Sequence, residues 1–466
     1  MGRRPADGRE RPVVDRDAWT HHRGGAVMPR LHAGTARIDV TPPLGTFMGG
    51  YGNRDHGAEG IHDPLNAKGL VLSDGNTQVA LVTCDVISFN YEFVDPVRER
   101  MEAATGIPAT HVLISNSHTH SGPLTHGVLG EDLVDEQYLS VLADKLVSVA
   151  ELAAAEMRPA SVGFMRQPAN VGYNRRAMAH EEPLQGVPLR GPMAPWVDVM
   201  TVREDSGAFM AAWFSHAAHA VVLGGDNYLL SADWPGAAQA AVEAVHPDCT
   251  AMFAQGCCGD INAVRSRPGT FEEVRSRGYE MAGAVISGME RAELLSEVEI
   301  AAASRTIEMP LQDPPPVDEL EGEIAELREQ HGEAEAAGDA VQKQVMRWRI
   351  ARREQFLELA REDASGLTRP LKATALRIGP GAIVGLPGEV LVEYALWIDR
   401  DSPFEHTIVP AYTNGMVGYV ATASAIARGG YEVHGSFDYY GGLPLRAETE
   451  PLVLGGVAEM LAEIAD

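Results

Sequence analysis

Between Leu31 and about Ala303, short β-branched runs alternate with stretches of helical texture, and no other feature constrains the fold as much. Ala36–Pro43, Gly69–Phe89 and His111–His120 read as strands. The turn residues Asp74-Gly75-Asn76 split the second run into the two arms of a hairpin. Helical patterns follow over Glu136–Glu156 and Gly236–Val245. Strands alternating with helices predict an α/β layered fold whose mixed β-sheet core is flanked by helices.

A break at Asp313-Pro314-Pro315-Pro316 introduces a different texture. Val317 to about Glu362 is dense in Glu, Ala, Arg, Leu and Gln, with Gly332 and Gly338 near the middle. This predicts two antiparallel helices, an α-helical hairpin inserted over residues 317–364. Its charges read as a solvated face, with a partner surface as the alternative. Strand texture returns in Leu371–Gly379, Gly381–Gly388 and His406–Tyr412, and Leu452–Ala465 reads as a closing helix. Motifs on both sides of the hairpin make residues 31–466 one expected folded unit. Residues 1–30 carry basic side chains without an apolar core, so they read as a disordered tail rather than a secretory signal, or as an over-long start ahead of Met28.

The 466 residues can bury a core large enough to need no metal or disulfide for folding, so any metal is expected to be catalytic. A formal charge of −27 disfavours nucleic acid and anionic membrane surfaces as partners, and leaves a small-molecule substrate. A homo-oligomer stays open. Cys84, Cys249, Cys257 and Cys258 form neither a disulfide framework nor a zinc-finger spacing, which predicts a reducing cytoplasm. No apolar run approaches the roughly 18 residues a bilayer requires.

Four segments carry chemistry. Ser117-His118-Thr119-His120-Ser121-Gly122-Pro123 follows the apolar run Val112-Leu113-Ile114. On an extended backbone both imidazoles point to one side, where they can meet one metal or divide labour between metal and substrate. His216-Ala217-Ala218-His219 is a second pair; alone, such a pair is more often a satisfied core histidine than a ligand. Glu389 follows Leu386-Pro387-Gly388 at the end of a buried-looking strand, where a carboxylate is costly without a cation, although an exposed loop glutamate is equally consistent. Gly418-Tyr419-Val420 and Gly430-Tyr431-Glu432 place two tyrosines twelve residues apart, and tyrosines in strands usually only pack. Asp85, at the end of Leu81–Cys84, reads as an acceptor orienting a histidine or, equally, as a turn acceptor.

Taken in series, these segments resemble the catalytic domain of the neutral/alkaline non-lysosomal ceramidases. The likeness runs through Ala36–Pro42, Met48-Gly49-Gly50-Tyr51, the His118–Pro123 block, Ser231–Gly236, Gln255–Asn262 and Leu386–Glu389 to the two tyrosines. It implies one zinc ion (Zn2+) per chain, held by His118, His219, Glu389 and Tyr419. His219 is preferred to His216 because the family motif starts there. It further implies that a metal-activated water cleaves an amide bond, with His120 carrying the proton and Arg175 and Tyr431 stabilising the oxyanion. Asp260, Asn262 and His216 are expected to contact substrate.

The run Gly259-Asp260-Ile261-Asn262-Ala263 carries Asn262 where the family has a serine, which excludes acylation at that position. The absence of an apparent signal peptide and of the family's immunoglobulin-like C-terminal domain, together with the acidity, predicts a soluble N-acyl amine or related metabolite rather than ceramide. The same site run in reverse, forming an amide or ester in biosynthesis, is one alternative; a non-catalytic metal-binding scaffold is another.

Overall fold

Side chains alternate across a strand, so a strand buried on both faces feeds two separate cores. Asn66–Ser73 does so: Leu70 and Leu72 enter one apolar cluster and Val71 the opposite one. The chain's architecture is read from a computed structural model describing residues 29–126, 133–178, 191–264 and 268–466, so residues 1–28 of the expected tail lie outside the described residues.

The main sheet has eight strands: β1 (His32–Asp39), β2 (Asn66–Ser73), β3 (Gln78–Cys84), β4 (Val112–Asn116), β5 (Arg158–Pro168), β6 (Trp196–Glu204), β7 (Phe209–His216) and β8 (Thr250–Gln255). Their spatial order is β8-β7-β6-β5-β1-β2-β3-β4. The pairs β3–β4 and β7–β8 are parallel and the others antiparallel, so the sheet is mixed. A second sheet runs β9 (Ile300–Pro310), β10 (Thr368–Ile378), β11 (Gly381–Gly385) and β12 (His406–Ile408).

Leu70, Leu81, Trp213 and Met252 from the first sheet meet Leu376, Ile378 and Ile383 from the second, which places an apolar core between them. The other face of the main sheet is covered by α1 (Tyr91–Thr105), α2 (Glu136–Ala155), α3 (Asp233–Val245) and α4 (Phe271–Arg291). The chain thus forms an α/β fold with a large mixed sheet flanked by helices, and its fully buried leucines and phenylalanines each contribute about 1.5–3 kcal/mol. Side-chain caps set the helix starts: Asn90 accepts the Phe93 N–H at 3.0 Å, and Thr270 with Glu273 closes a capping box on α4.

The expected hairpin turn forms because Asp74 Oδ1 accepts the N–H groups of Asn76 (2.8 Å) and Thr77 (2.7 Å). The inserted segment folds into α5 (Val317–Ala337) and α6 (Ala340–Arg361), which turn at Gly338; Gly332 stays inside α5. α7 (Thr449–Ala465) packs on β9 and β10. Among the described residues, no helix is long and apolar enough to cross a membrane.

One strand differs from expectation. β4 stops at Asn116, and His118 adopts a left-handed backbone (φ 55°) instead of continuing the extended run. The chain leaves the sheet edge there, and Thr119 bridges to Ala220, which brings the two histidine segments side by side.

Candidate active site

Where β4 ends, the His118–His120 turn and the segment following β7 converge. The ring nitrogens of His118, His120 and His219 include one from each residue within 4.8 Å of the others. His118 Nδ1 faces the Ile87 carbonyl at 2.7 Å, and His219 Nδ1 faces the Ile261 carbonyl at 2.9 Å. A ring nitrogen facing a carbonyl must carry the proton, so in each neutral ring Nε2 presents its lone pair. Burial lowers the His118 pKa to about 4, which keeps that ring neutral near pH 7.

Glu389 enters from a two-residue parallel ladder that pairs Glu389–Val390 with Tyr419–Val420. The ladder explains the preceding glycine: Gly388 has φ +93°, and a Cβ there would sit 2.6 Å from the Gly418 carbonyl. Glu389 Oε2 lies 3.1 Å from His219 Nε2 and 3.8 Å from His118 Nε2. The carboxylate is buried, and the hydroxyls of Tyr412 (3.3 Å to Oε2) and Tyr440 (to Oε1) donate to it, which favours its ionised form. His120 Nε2 lies 3.2 Å from His118 Nε2. Acceptor lone pairs and an ionised carboxylate therefore crowd one point, an arrangement that is unfavourable alone and suits a bound divalent cation.

A second antiparallel ladder pairs Gly172–Asn174 with Ile261–Ala263, so Arg175 and Asn262 share one wall. The Arg175 guanidinium donates from Nε to Glu432 Oε1 (2.8 Å), from Nη1 to Asn262 Oδ1 (3.2 Å), and from Nη2 to the Gly259 carbonyl (2.7 Å) and the Tyr419 hydroxyl (2.9 Å). Burial works against its charge, but Tyr419, Glu432 and Glu389 hold its pKa well above the ordinary value. The guanidinium also lies 5.7 Å from the Tyr419 ring centre and 5.6 Å from that of Tyr431. Tyr431 stands at the cavity wall with about half its surface exposed. His120, His219, Glu389, Tyr419, Arg175, Asn262 and Tyr431 border a cavity of about 900 Å3 that also exposes Ile87, Leu124 and Val221.

A family model described as neutral/alkaline non-lysosomal ceramidase, N-terminal, matches residues 31–264, half of the chain. The chain belongs to this family. It is 28% identical over 226 residues to neutral ceramidase 2 of Arabidopsis thaliana, across 44% of this chain and 29% of that one. It is 26% identical over 255 residues to the neutral ceramidase of Mycobacterium tuberculosis (strain ATCC 25618 / H37Rv), across 50% of this chain and 40% of that one. These matches span well under half the length of either relative. The fold resembles a crystal structure of neutral ceramidase from Pseudomonas aeruginosa (TM-score 0.71, 19% identity, 94% of this chain and 74% of that one). It also resembles a ceramidase complexed with C2 (TM-score 0.72, 17% identity, 94% and 76%).

In this ceramidase-family chain the structure gathers His120, His219, Glu389, Tyr419, Tyr431, Arg175, Asn262 and Asp260 along the cavity, with the buried His118 beside His120, and it corrects two expectations. His216 is not at the site: its Nδ1 faces the Trp196 carbonyl at 2.7 Å and its ring borders a small separate cavity beside Arg166 and Asp198. Asp260 reaches the cavity wall, but its Oδ1 accepts the Val392 N–H (2.9 Å) and its Oδ2 accepts from Asn174 (2.7 Å), so the carboxylate holds the scaffold rather than a substrate. Of the two readings of Asp85, the turn acceptor holds: it accepts from the Asn66 backbone at 3.0 Å and from Gln239 at 3.4 Å.

Three participants were not legible beforehand. Tyr412 donates to Glu389 Oε2 at 3.3 Å and stacks on His118 (ring centres 4.0 Å apart), Tyr440 bonds Glu389 Oε1, and Glu432 clamps both Arg175 and Arg176.

The Met48–Tyr51 motif also acquires a reason. Gly50 has φ +93°, and a Cβ there would lie 2.4 Å from His120 Nδ1. Gly50→Ala should displace the imidazole and lower kcat by up to about a hundredfold, the scale of a 1 Å misplacement. Thermal unfolding should register only the left-handed strain of about 1–2 kcal/mol. Unchanged kcat would show that His120 tolerates the shift.

Proposed function

We propose that this chain hydrolyses the amide bond of an N-acyl amine with the help of one divalent cation, expected to be zinc. The single observation that carries the reading is the convergence of the His118 and His219 Nε2 lone pairs with the ionised Glu389 carboxylate. His118, His219, Glu389 and Tyr419 would hold the ion. A cation there supplies Lewis acidity to an amide carbonyl.

The remaining steps belong to the chain's own side chains. Tyr431 and Arg175 line the cavity beside Tyr419 and would donate to the developing oxyanion of an amide bound there; donors preorganised for an oxyanion are worth about 3 kcal/mol each. His120 borders the cavity and would take the proton released as water attacks the amide carbonyl, passing it to the leaving amine nitrogen as the C–N bond breaks. Glu432 and Asn262 fix the Arg175 plane, so its orientation is set before substrate enters. With Asn262 in place of serine, no acyl-enzyme forms there.

The relatives' names weigh toward ceramide as the substrate, against the soluble N-acyl amine expected from the acidity. Ile87, Leu124 and Val221 give the cavity an apolar side for an acyl or sphingoid chain. Amine release from N-acyl sphingosines of graded chain length, compared with short soluble N-acyl amines, tests both parts. Ceramides should be preferred, and a chelator should abolish turnover until zinc is restored. Faster turnover of the soluble amides would overturn the substrate assignment, and turnover in a metal-free sample would overturn the cation.

A further inference from the structure

We propose that Tyr440 is a positioning residue for Glu389 and that the inserted helical hairpin anchors it, through contacts running from Arg349 and Arg353 to Asp438, Tyr440 and Glu389. The inference rests on the reading of Glu389 as a cation ligand.

The terminal torsion of a glutamate is soft, so a ligand carboxylate keeps one orientation only if neighbours hold its oxygens. Here the two oxygens are divided between two phenols: Tyr440 takes Oε1 and Tyr412 takes Oε2. Tyr412 sits on a fully buried segment and is held by its surroundings. Tyr440 is placed differently. It ends a single helical turn, Phe437–Tyr440, that follows the irregular turn Tyr431–Gly435 and precedes Gly441 and Gly442, both with left-handed φ (80° and 72°). One turn between such neighbours cannot fix its own position, because helix formation is unfavourable at that length.

The hairpin supplies the missing restraint. Arg353 of α6 donates to Asp438 Oδ1, and Arg349 Nε lies 3.2 Å from Asp438 Oδ2. Arg353 is in turn held by Glu323 of α5 at 2.7 Å, so both helices are engaged. From the strand side, Arg369 donates to the Gly441 carbonyl at 2.9 Å. No described hairpin residue lines the cavity. The hairpin's route to the site is this turn.

The test is an equilibrium zinc titration of the full chain, with the cobalt(II) absorption spectrum as a second readout of ligand geometry. Tyr440→Phe keeps the ring and removes the hydroxyl. It should weaken zinc binding about 10–100-fold, the usual effect of removing a group that orients a ligand, and shift the cobalt bands. Arg349→Gln combined with Arg353→Gln should act in the same direction. Arg328→Gln, which breaks an exposed pair with Glu354 on the same hairpin, should change neither readout. Wild-type affinity and spectrum in Tyr440→Phe overturn the inference. Loss in Tyr440→Phe but not in the arginine variant overturns the hairpin's part in it. A wild-type chain that takes up no divalent cation defeats the cation reading itself, which is a different result.

Discussion

His118→Ala should lose at least about a thousandfold in kcat/KM and most of its bound zinc. The argument is geometric before it is energetic. His118 is fully buried, its Nδ1 is committed to the Ile87 carbonyl, and its Nε2 faces both Glu389 and His120. Alanine removes one converging lone pair and leaves the ionised Glu389 with a weaker claim on the ion. Lewis-acid assistance is worth several kcal/mol, and about 4 kcal/mol at 1.36 kcal/mol per decade corresponds to a thousandfold. Initial rates on an N-acyl sphingosine, with metal content measured on the same preparation, check this. Retention of both would remove His118 from the site. His120→Ala separates the two roles open to these imidazoles, because it should lose turnover while keeping the ion.

Arg175→Lys should lower kcat by about 10²–10³-fold with a smaller change in KM, the loss seen when one preorganised oxyanion donor is removed. Lysine is the informative replacement because it keeps the charge opposite Glu432, so that carboxylate is not left unpaired in the interior. An ammonium cannot reproduce the planar fork that reaches Glu432, Asn262, the Gly259 carbonyl and Tyr419 at once. A drop in kcat with unchanged zinc affinity is the expected signature. An unchanged kcat would make Arg175 a structural cation that merely ties Glu432 to the turn at Gly259.

The contrast between His216 and His219 shows where the reading of the chain succeeds and where it stops. Both histidines stand in one tetrapeptide, and periodicity alone does not choose between them. Motif order favoured His219 and also left His216 in the site, whereas His216, at the end of β7, faces the Trp196 carbonyl of the neighbouring β6. Likewise, alternation along an extended strand was the expected reason for His118 and His120 to face one point. They do meet, but through a left-handed residue beyond the strand end. The outcome matched while the cause did not.

Local chemistry made much of this protein legible from its sequence. The Asp74 turn, the two helices around Gly338 and the strands buried on both faces follow from side-chain period, backbone hydrogen-bond competition and the freedom of glycine, all of which act over a few residues. The candidate ligands could be proposed because they sit in short motifs. Other features only the tertiary structure decided: the stacking of the second sheet on the first, the two short ladders that deliver Glu389 and Arg175, and the roles of Tyr412, Tyr440 and Glu432. Those contacts join residues tens to hundreds of positions apart, and each depends on the direction a side chain takes once the backbone around it is fixed.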